Sequence, residues 1–140
     1  MNHSNKTVCV VGASGLLGSN VLKEALARGY KVNGTLRDVN APGKATFLNA
    51  LPNAEANLRL FEAEMADKAS FDNAFSNVDC VFIACLIPVY KGPTGKPARE
   101  MDDEQGYAEI IMPTVNGCLN IMNAAAKHRV KNVVICSSTS

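Results

Sequence analysis

One hundred and forty residues suffice for one domain and fall short of two ordinary ones. With 47% apolar and 19% charged residues, the composition is that of a globular chain and excludes a disordered one. Fourteen basic against thirteen acidic residues leave a net charge of +1, which excludes binding driven by a broad basic surface, so neither nucleic acid nor an anionic membrane is expected as a partner. No stretch reaches the roughly 18 to 20 apolar residues that span a bilayer. The apolar opening Thr7 to Leu17 contains Gly12 and Gly15, with Lys6 as the only basic residue ahead of it, so no signal peptide is expected. Five cysteines, an odd number without a C-x-x-C pair, stand mostly in apolar, β-branched runs. They read as small core fillers in a reducing, cytoplasmic setting.

In chain order, Thr7-Val8-Cys9-Val10-Val11 predicts a strand buried on both faces. Val21, Leu22, Ala25 and Leu26 recur at helical spacing, and Gly29 stands where a helix C-cap glycine belongs. Lys31 to Leu36 predicts a second strand, Ala45 to Leu51 a short helix, and Leu58 to Phe61 a third strand. Asp67 to Phe75 predicts a helix capped by Asp67 or Ser70. Asp79 to Ile87 predicts a fourth buried strand, and Gly92 to Asp103 an exposed loop. Ile110 to His128 predicts a long helix with Val115, Leu119, Met122 and Ala126 on one face, and Asn132 to Cys136 a fifth strand. Alternation of this kind means an α/β fold: a doubly wound parallel sheet with ligands at the carboxyl ends of its strands. Residues 1–140 are expected to form one Rossmann-type domain. An apolar strand stands last with nothing to cover it, so the chain is expected to be an incomplete, N-terminal portion of that domain in a longer protein.

Between the first strand and its helix lies Gly12-Ala13-Ser14-Gly15-Leu16-Leu17-Gly18. In a dinucleotide-binding turn the first glycine allows the tight bend and the second lets the backbone approach a pyrophosphate. The third permits close packing of helix on strand, and the helix N-terminus adds partial positive charge. The alternative is a turn that uses glycine for its geometry alone. After strand two, an acid would bind a ribose 2′-hydroxyl, whereas an arginine accommodates a 2′-phosphate. This chain has Arg37-Asp38, followed by Lys44. Arg37 can bind phosphate with two hydrogen bonds and stack on adenine, which favours NADP(H) as cofactor. Asp38 could instead take a ribose hydroxyl, and the two cations could be ordinary solvated loop residues.

The phrases VCVVGASGLLGSNV, ARGYKVNGTLRD, Glu64-Met65-Ala66-Asp67, IMPTVNG and VVICSS resemble the plant dihydroflavonol reductase group. That group, with cinnamoyl-CoA reductases and yeast-type aldehyde/ketone reductases, belongs to the extended short-chain dehydrogenase/reductases. The resemblance runs from Thr7 to the last residue. It implies that the glycine turn holds the pyrophosphate and that Arg37 and Lys44 hold the 2′-phosphate. It places Glu64 and Met65 at the adenine, Ala84, Cys85 and Leu86 beside the ribose and nicotinamide, and Ser138 as a catalytic serine. Two departures stand out: glutamate replaces the usual aspartate at Glu64, and the loop Tyr90 to Asp103 is longer and richer in glycine and proline.

The resemblance implies NADPH-dependent reduction of a small carbonyl substrate, or the reverse oxidation of an alcohol. In that family a tyrosine donates the proton, with a lysine four residues later lowering its pKa. Here Tyr30, Tyr90 and Tyr107 are followed four residues on by Gly34, Thr94 and Ile111, so these 140 residues alone are expected to be inactive. His3, in an N-terminus expected to be mobile, and His128, expected to cap a helix, suggest no metal site. Alternative readings are an NAD-dependent sugar-nucleotide epimerase/dehydratase or hydroxysteroid dehydrogenase, and, from another class, a non-catalytic NADPH-sensing protein.

Overall fold

A computed structural model describes residues 3, 5–85 and 91–137. Five parallel strands form one sheet in the order β3-β2-β1-β4-β5. They are β1 (Thr7–Val11), β2 (Lys31–Leu36), β3 (Leu58–Glu62), β4 (Cys80–Ile83) and β5 (Asn132–Ile135). The order reverses at β1, where β1 pairs with β2 on one side and β4 on the other. This is the doubly wound sheet expected from the sequence, and its switch point lies between β1 and β4.

Side-chain alternation divides the strands between two cores. Val8, Val10, Val32 and Leu36 point to one face, against Leu22 and Leu26 of α1 (Leu16–Ala27), Leu48 of α2 (Lys44–Asn49) and Ala54 of α3 (Ala54–Asn57). Cys9, Val11, Val81 and Ile83 point to the other, against Phe71, Phe75 and Ile121. The latter belong to or flank α4 (Asp72–Phe75) and α6 (Met112–Lys127). Each fully buried Leu, Ile or Phe contributes roughly 1.5–3 kcal/mol, so the two layers carry most of the stability.

Two expectations are corrected. The helix expected over Asp67 to Phe75 is the single turn α4, and Asp67 and Ser70 do not cap it. Asp67 Oδ1 accepts from Ala69 N–H, and Ser70 Oγ bonds back to the Glu64 backbone, because both side chains are used to shape the preceding loop. The long helix begins earlier, at α5 (Asp103–Gly106), where Asp102 accepts from Gln105 N–H at 2.7 Å. It continues through a π turn (Tyr107–Ile111) into α6. On α6, Val115, Leu119 and Met122 share one face as expected, and that face is turned outward, at 43%, 51% and 38% exposure. Gly117, Ile121, Ala124 and Ala125 are buried instead, because small residues let the helix approach the sheet closely.

Strand four was expected over Asp79 to Ile87; Cys80–Ile83 is ordered as strand, and residues 86–90 lie outside the described residues. His128 does end α6, but its Nε2 lies 2.9 Å from Asp72 Oδ1 instead of on a helix carbonyl. His3 stacks on Tyr30, with ring centroids 4.4 Å apart.

Candidate functional site

A cleft of about 410 Å³ opens at the carboxyl ends of β1, β2, β3 and β4. It brings together Gly12, Ser14, Gly15, Arg37, Lys44, Glu64, Met65, Ala84 and Cys85. A larger recess of about 730 Å³ runs beside α1 and the amino ends of β1, β4 and β5. That position is the wrong end of an open α/β sheet for ligand binding, so the smaller cleft is the candidate site.

The three glycines of the turn meet different surroundings. Gly12 has φ +80, and a Cβ there would stand 2.5 Å from Cys85 Cβ. A Cβ on Gly18 would fall 1.9 Å from the Gly12 carbonyl oxygen, so this position must lack a side chain for α1 to pack on β1. A Cβ on Gly15 would meet no non-neighbouring atom nearer than that oxygen, at 3.5 Å. Gly15 therefore leaves room in the cleft that no protein atom takes. It is also the N-cap of α1, without a side-chain cap, so first-turn amides such as those of Leu16 and Leu17 face the cleft end of the helix without a partner within it. Ala13 is different: its side chain is fully buried, and its N–H donates to the Thr35 carbonyl at 3.0 Å. Its place in the turn is structural.

Arg37 follows β2 and Lys44 opens α2; both side chains are exposed, and neither forms an ion pair among the described residues. With Ser14, Leu36, Asp38 and Ala41 they line a second cavity of about 260 Å³ adjoining the cleft. Asp38 Oδ1 is engaged by Asn40 N–H at 2.8 Å, closing its own turn. That bond occupies one oxygen of Asp38, and with Arg37 and Lys44 this cavity carries net positive charge.

Across the cleft, β3 leads into exposed Glu64 and buried Met65. Met65 Sδ lies 3.8 Å from Cys85 Sγ, which closes the floor beneath the glycine turn. Burial pushes the Cys85 thiol above its usual range; Cys118 and Glu64 add to the effect and Arg37 opposes it. Leu86 and Ser138 lie outside the described residues. No group of three or more His, Cys, Asp or Glu side chains able to hold a metal occurs among the described residues.

Thr35 escaped the sequence reading. It is 2% exposed, and Gly12 N–H donates to its Oγ1 at 3.4 Å. A hydroxyl next to the carboxyl end of β2, in register with Val11 just before the glycine turn, was the available signal.

The cradle fits a dinucleotide: a glycine face, an uncapped helix start, and two cations beyond it that form no ion pair among the described residues. The comparisons agree. A family model described as NAD(P)H-binding matches residues 12–140. Dihydroflavonol 4-reductase from Dianthus caryophyllus is 38% identical over 133 residues, covering 95% of this chain and 34% of the relative. Among solved structures, vestitone reductase from alfalfa (Medicago sativa) superposes with a TM-score of 0.68 at 30% identity, over 92% of this chain and 35% of that one. Gre2 from Candida albicans, solved in complex with NADPH, gives a TM-score of 0.71 at 27% identity, over 95% and 37%. The chain thus spans about a third of the length of the relatives it matches. It belongs to the NAD(P)H-binding family, on the branch of the dihydroflavonol reductase-like extended short-chain dehydrogenase/reductases.

Proposed function

We propose that this chain is the cofactor-binding part of an NADPH-dependent oxidoreductase acting on the carbonyl or alcohol carbon of a small organic substrate. The observation that carries the reading is the cavity between Arg37 and Lys44, which adjoins the cleft under the glycine turn. A 2′-phosphate carries about −1.5 to −2 charges near neutral pH, on the usual second pKa of a phosphate monoester. Arg37 can bind it with two N–H donors while Lys44 supplies a second charge.

In this reading the cofactor supplies a hydride. The first-turn amides of α1 hold the pyrophosphate, with Gly15 keeping that approach open. Glu64 and Met65 bound the adenine pocket, and Ala84, Cys85 and Leu86 border the ribose and nicotinamide. Ser138 hydrogen-bonds the substrate oxygen, as its place in the VVICSS phrase implies. Names such as dihydroflavonol 4-reductase and vestitone reductase support a small-molecule carbonyl substrate for this chain too. Among the described residues no helix is long and apolar enough to cross a membrane.

The test is calorimetric titration of the chain with NADPH and with NADH. NADPH should bind about 10- to 150-fold more tightly, the range of a charge-assisted hydrogen bond. Equal affinities, or no binding of either, would overturn the reading.

A further inference from the structure

Asparagine is a poor residue for a helix interior, because its side chain competes for backbone hydrogen bonds. Asn120 nevertheless stands in the middle of α6. Its side chain is half-buried, and Nδ2 donates to the Met65 carbonyl at 2.8 Å, across 55 residues of sequence.

That carbonyl lies where the sheet no longer holds the chain. The β2–β3 ladder ends at Leu36 and Glu62, with one last bond from Ala63 N–H to the Leu36 carbonyl at 2.9 Å. Beyond it, Glu64 is held locally: Ser70 Oγ accepts from its N–H and bonds its carbonyl, both at 3.0 Å. Among the described residues, the bond from Asn120 is the one that ties the Met65 backbone to a distant element. Helix α6 is itself fixed in the core by Gly117, Ile121 and Ala124. The helix position therefore sets where Met65, and Glu64 before it, stand at the wall of the cleft.

We propose that Asn120 is a positioning residue for the adenosine half of the dinucleotide site, acting through the Met65 backbone and touching no ligand itself. The inference rests on the cofactor reading above. Without Asn120, water can satisfy the Met65 carbonyl in this partly exposed loop, so the fold loses little. The Glu64–Met65 segment gains freedom, and binding must then remove it.

The test uses the two halves of the cofactor as probes, 2′,5′-ADP and reduced nicotinamide mononucleotide, titrated calorimetrically into the parent and its variants. Asn120→Ala should weaken 2′,5′-ADP by about 5- to 10-fold, the scale of one hydrogen bond, and leave the mononucleotide unchanged. Asn120→Asp keeps the shape, sets a second acceptor against the carbonyl, and should show the same selective loss even if the alanine variant folds poorly. Asn123→Ala, an exposed position on the same helix, should change neither. Equal loss of both halves, or a lowered melting temperature with both affinities intact, would overturn the inference while leaving the cofactor reading in place. Failure of the parent to bind 2′,5′-ADP would overturn both.

Discussion

Gly15 and Gly18 stand three residues apart in one turn, yet the structure assigns them opposite sensitivities. A Cβ at Gly18 would lie 1.9 Å from the Gly12 carbonyl oxygen and 2.8 Å from its carbon, so backbone must move by more than an ångström. Overpacking of this kind costs about 1–3 kcal/mol, here toward the upper end because the obstacle is main chain. The helix preference for alanine over glycine returns about 1 kcal/mol. Gly18→Ala should therefore destabilise by about 2 kcal/mol, lowering Tm by roughly 6–8 °C at the entropy expected for this size. At Gly15, with φ −73, a side chain is sterically allowed and the nearest non-neighbouring atom is 3.5 Å away. The weaker N-cap and the less flexible unfolded chain roughly offset, so Gly15→Ala should keep Tm within about 3 °C. Its Cβ nevertheless enters the space assigned to the pyrophosphate. Displacing charge-assisted hydrogen bonds there should weaken NADPH by about 10- to 150-fold, and Gly15→Val at least as much. Differential scanning calorimetry and titration on the same samples separate the two effects. Parent-like NADPH affinity in a folded Gly15→Val would refute the placement of the pyrophosphate. A Tm drop at Gly15 matching that at Gly18 would refute the steric argument.

Hydrogen bonds from Lys127 and His128 hold the Asp72 carboxyl below its ordinary value of 3.8, so these contacts stabilise above that value and are lost as pH falls through the lower folded one. Asp72→Asn should thus lower Tm at neutral pH and converge with the parent in acid; a constant difference across the titration would contradict the assignment. Burial pushes the Cys9 thiol far above its usual range, so iodoacetamide should label Cys9 only after unfolding, as mass spectrometry would show. Cys85 lines the cleft, and saturating NADPH should slow its alkylation relative to Cys136; no protection would count against its place beside the cofactor. Asp38→Ala should change the NADPH to NADH preference less than about threefold, since Asp38 already binds its own turn; a larger change would restore it as a ribose ligand.

What could be read from the chain was local. A β-branched run, a glycine turn and a C-cap glycine specify β1, α1 and the entry to β2 through neighbouring residues alone, and Gly29 has the left-handed φ of +85 that its position implied. The alternation of such units then implied the doubly wound sheet. On α6, hydrophobic size and inward direction diverge. Val115, Leu119 and Met122 form the apolar stripe, while close packing on the sheet selects Gly117 and Ala124. The turn α3 carries too few residues to show a period. At the site, residues of the glycine turn and after β2 were visible because spacing defines them. Thr35 and Asn120 were not, since their bonds to Gly12 and Met65 cross 23 and 55 residues and exist only in the folded chain.

On the cofactor reading, the cavity between Arg37 and Lys44 receives a 2′-phosphate. The most direct test is the ratio of NADH to NADPH dissociation constants in the parent and in Arg37→Ala, at one fixed salt concentration because exposed charges are screened. The parent ratio should be about 10 to 150, and Arg37→Ala should remove most of that preference by weakening NADPH while leaving NADH nearly unchanged. A ratio that Arg37→Ala leaves intact, or a parent that does not distinguish the two cofactors, would contradict the account.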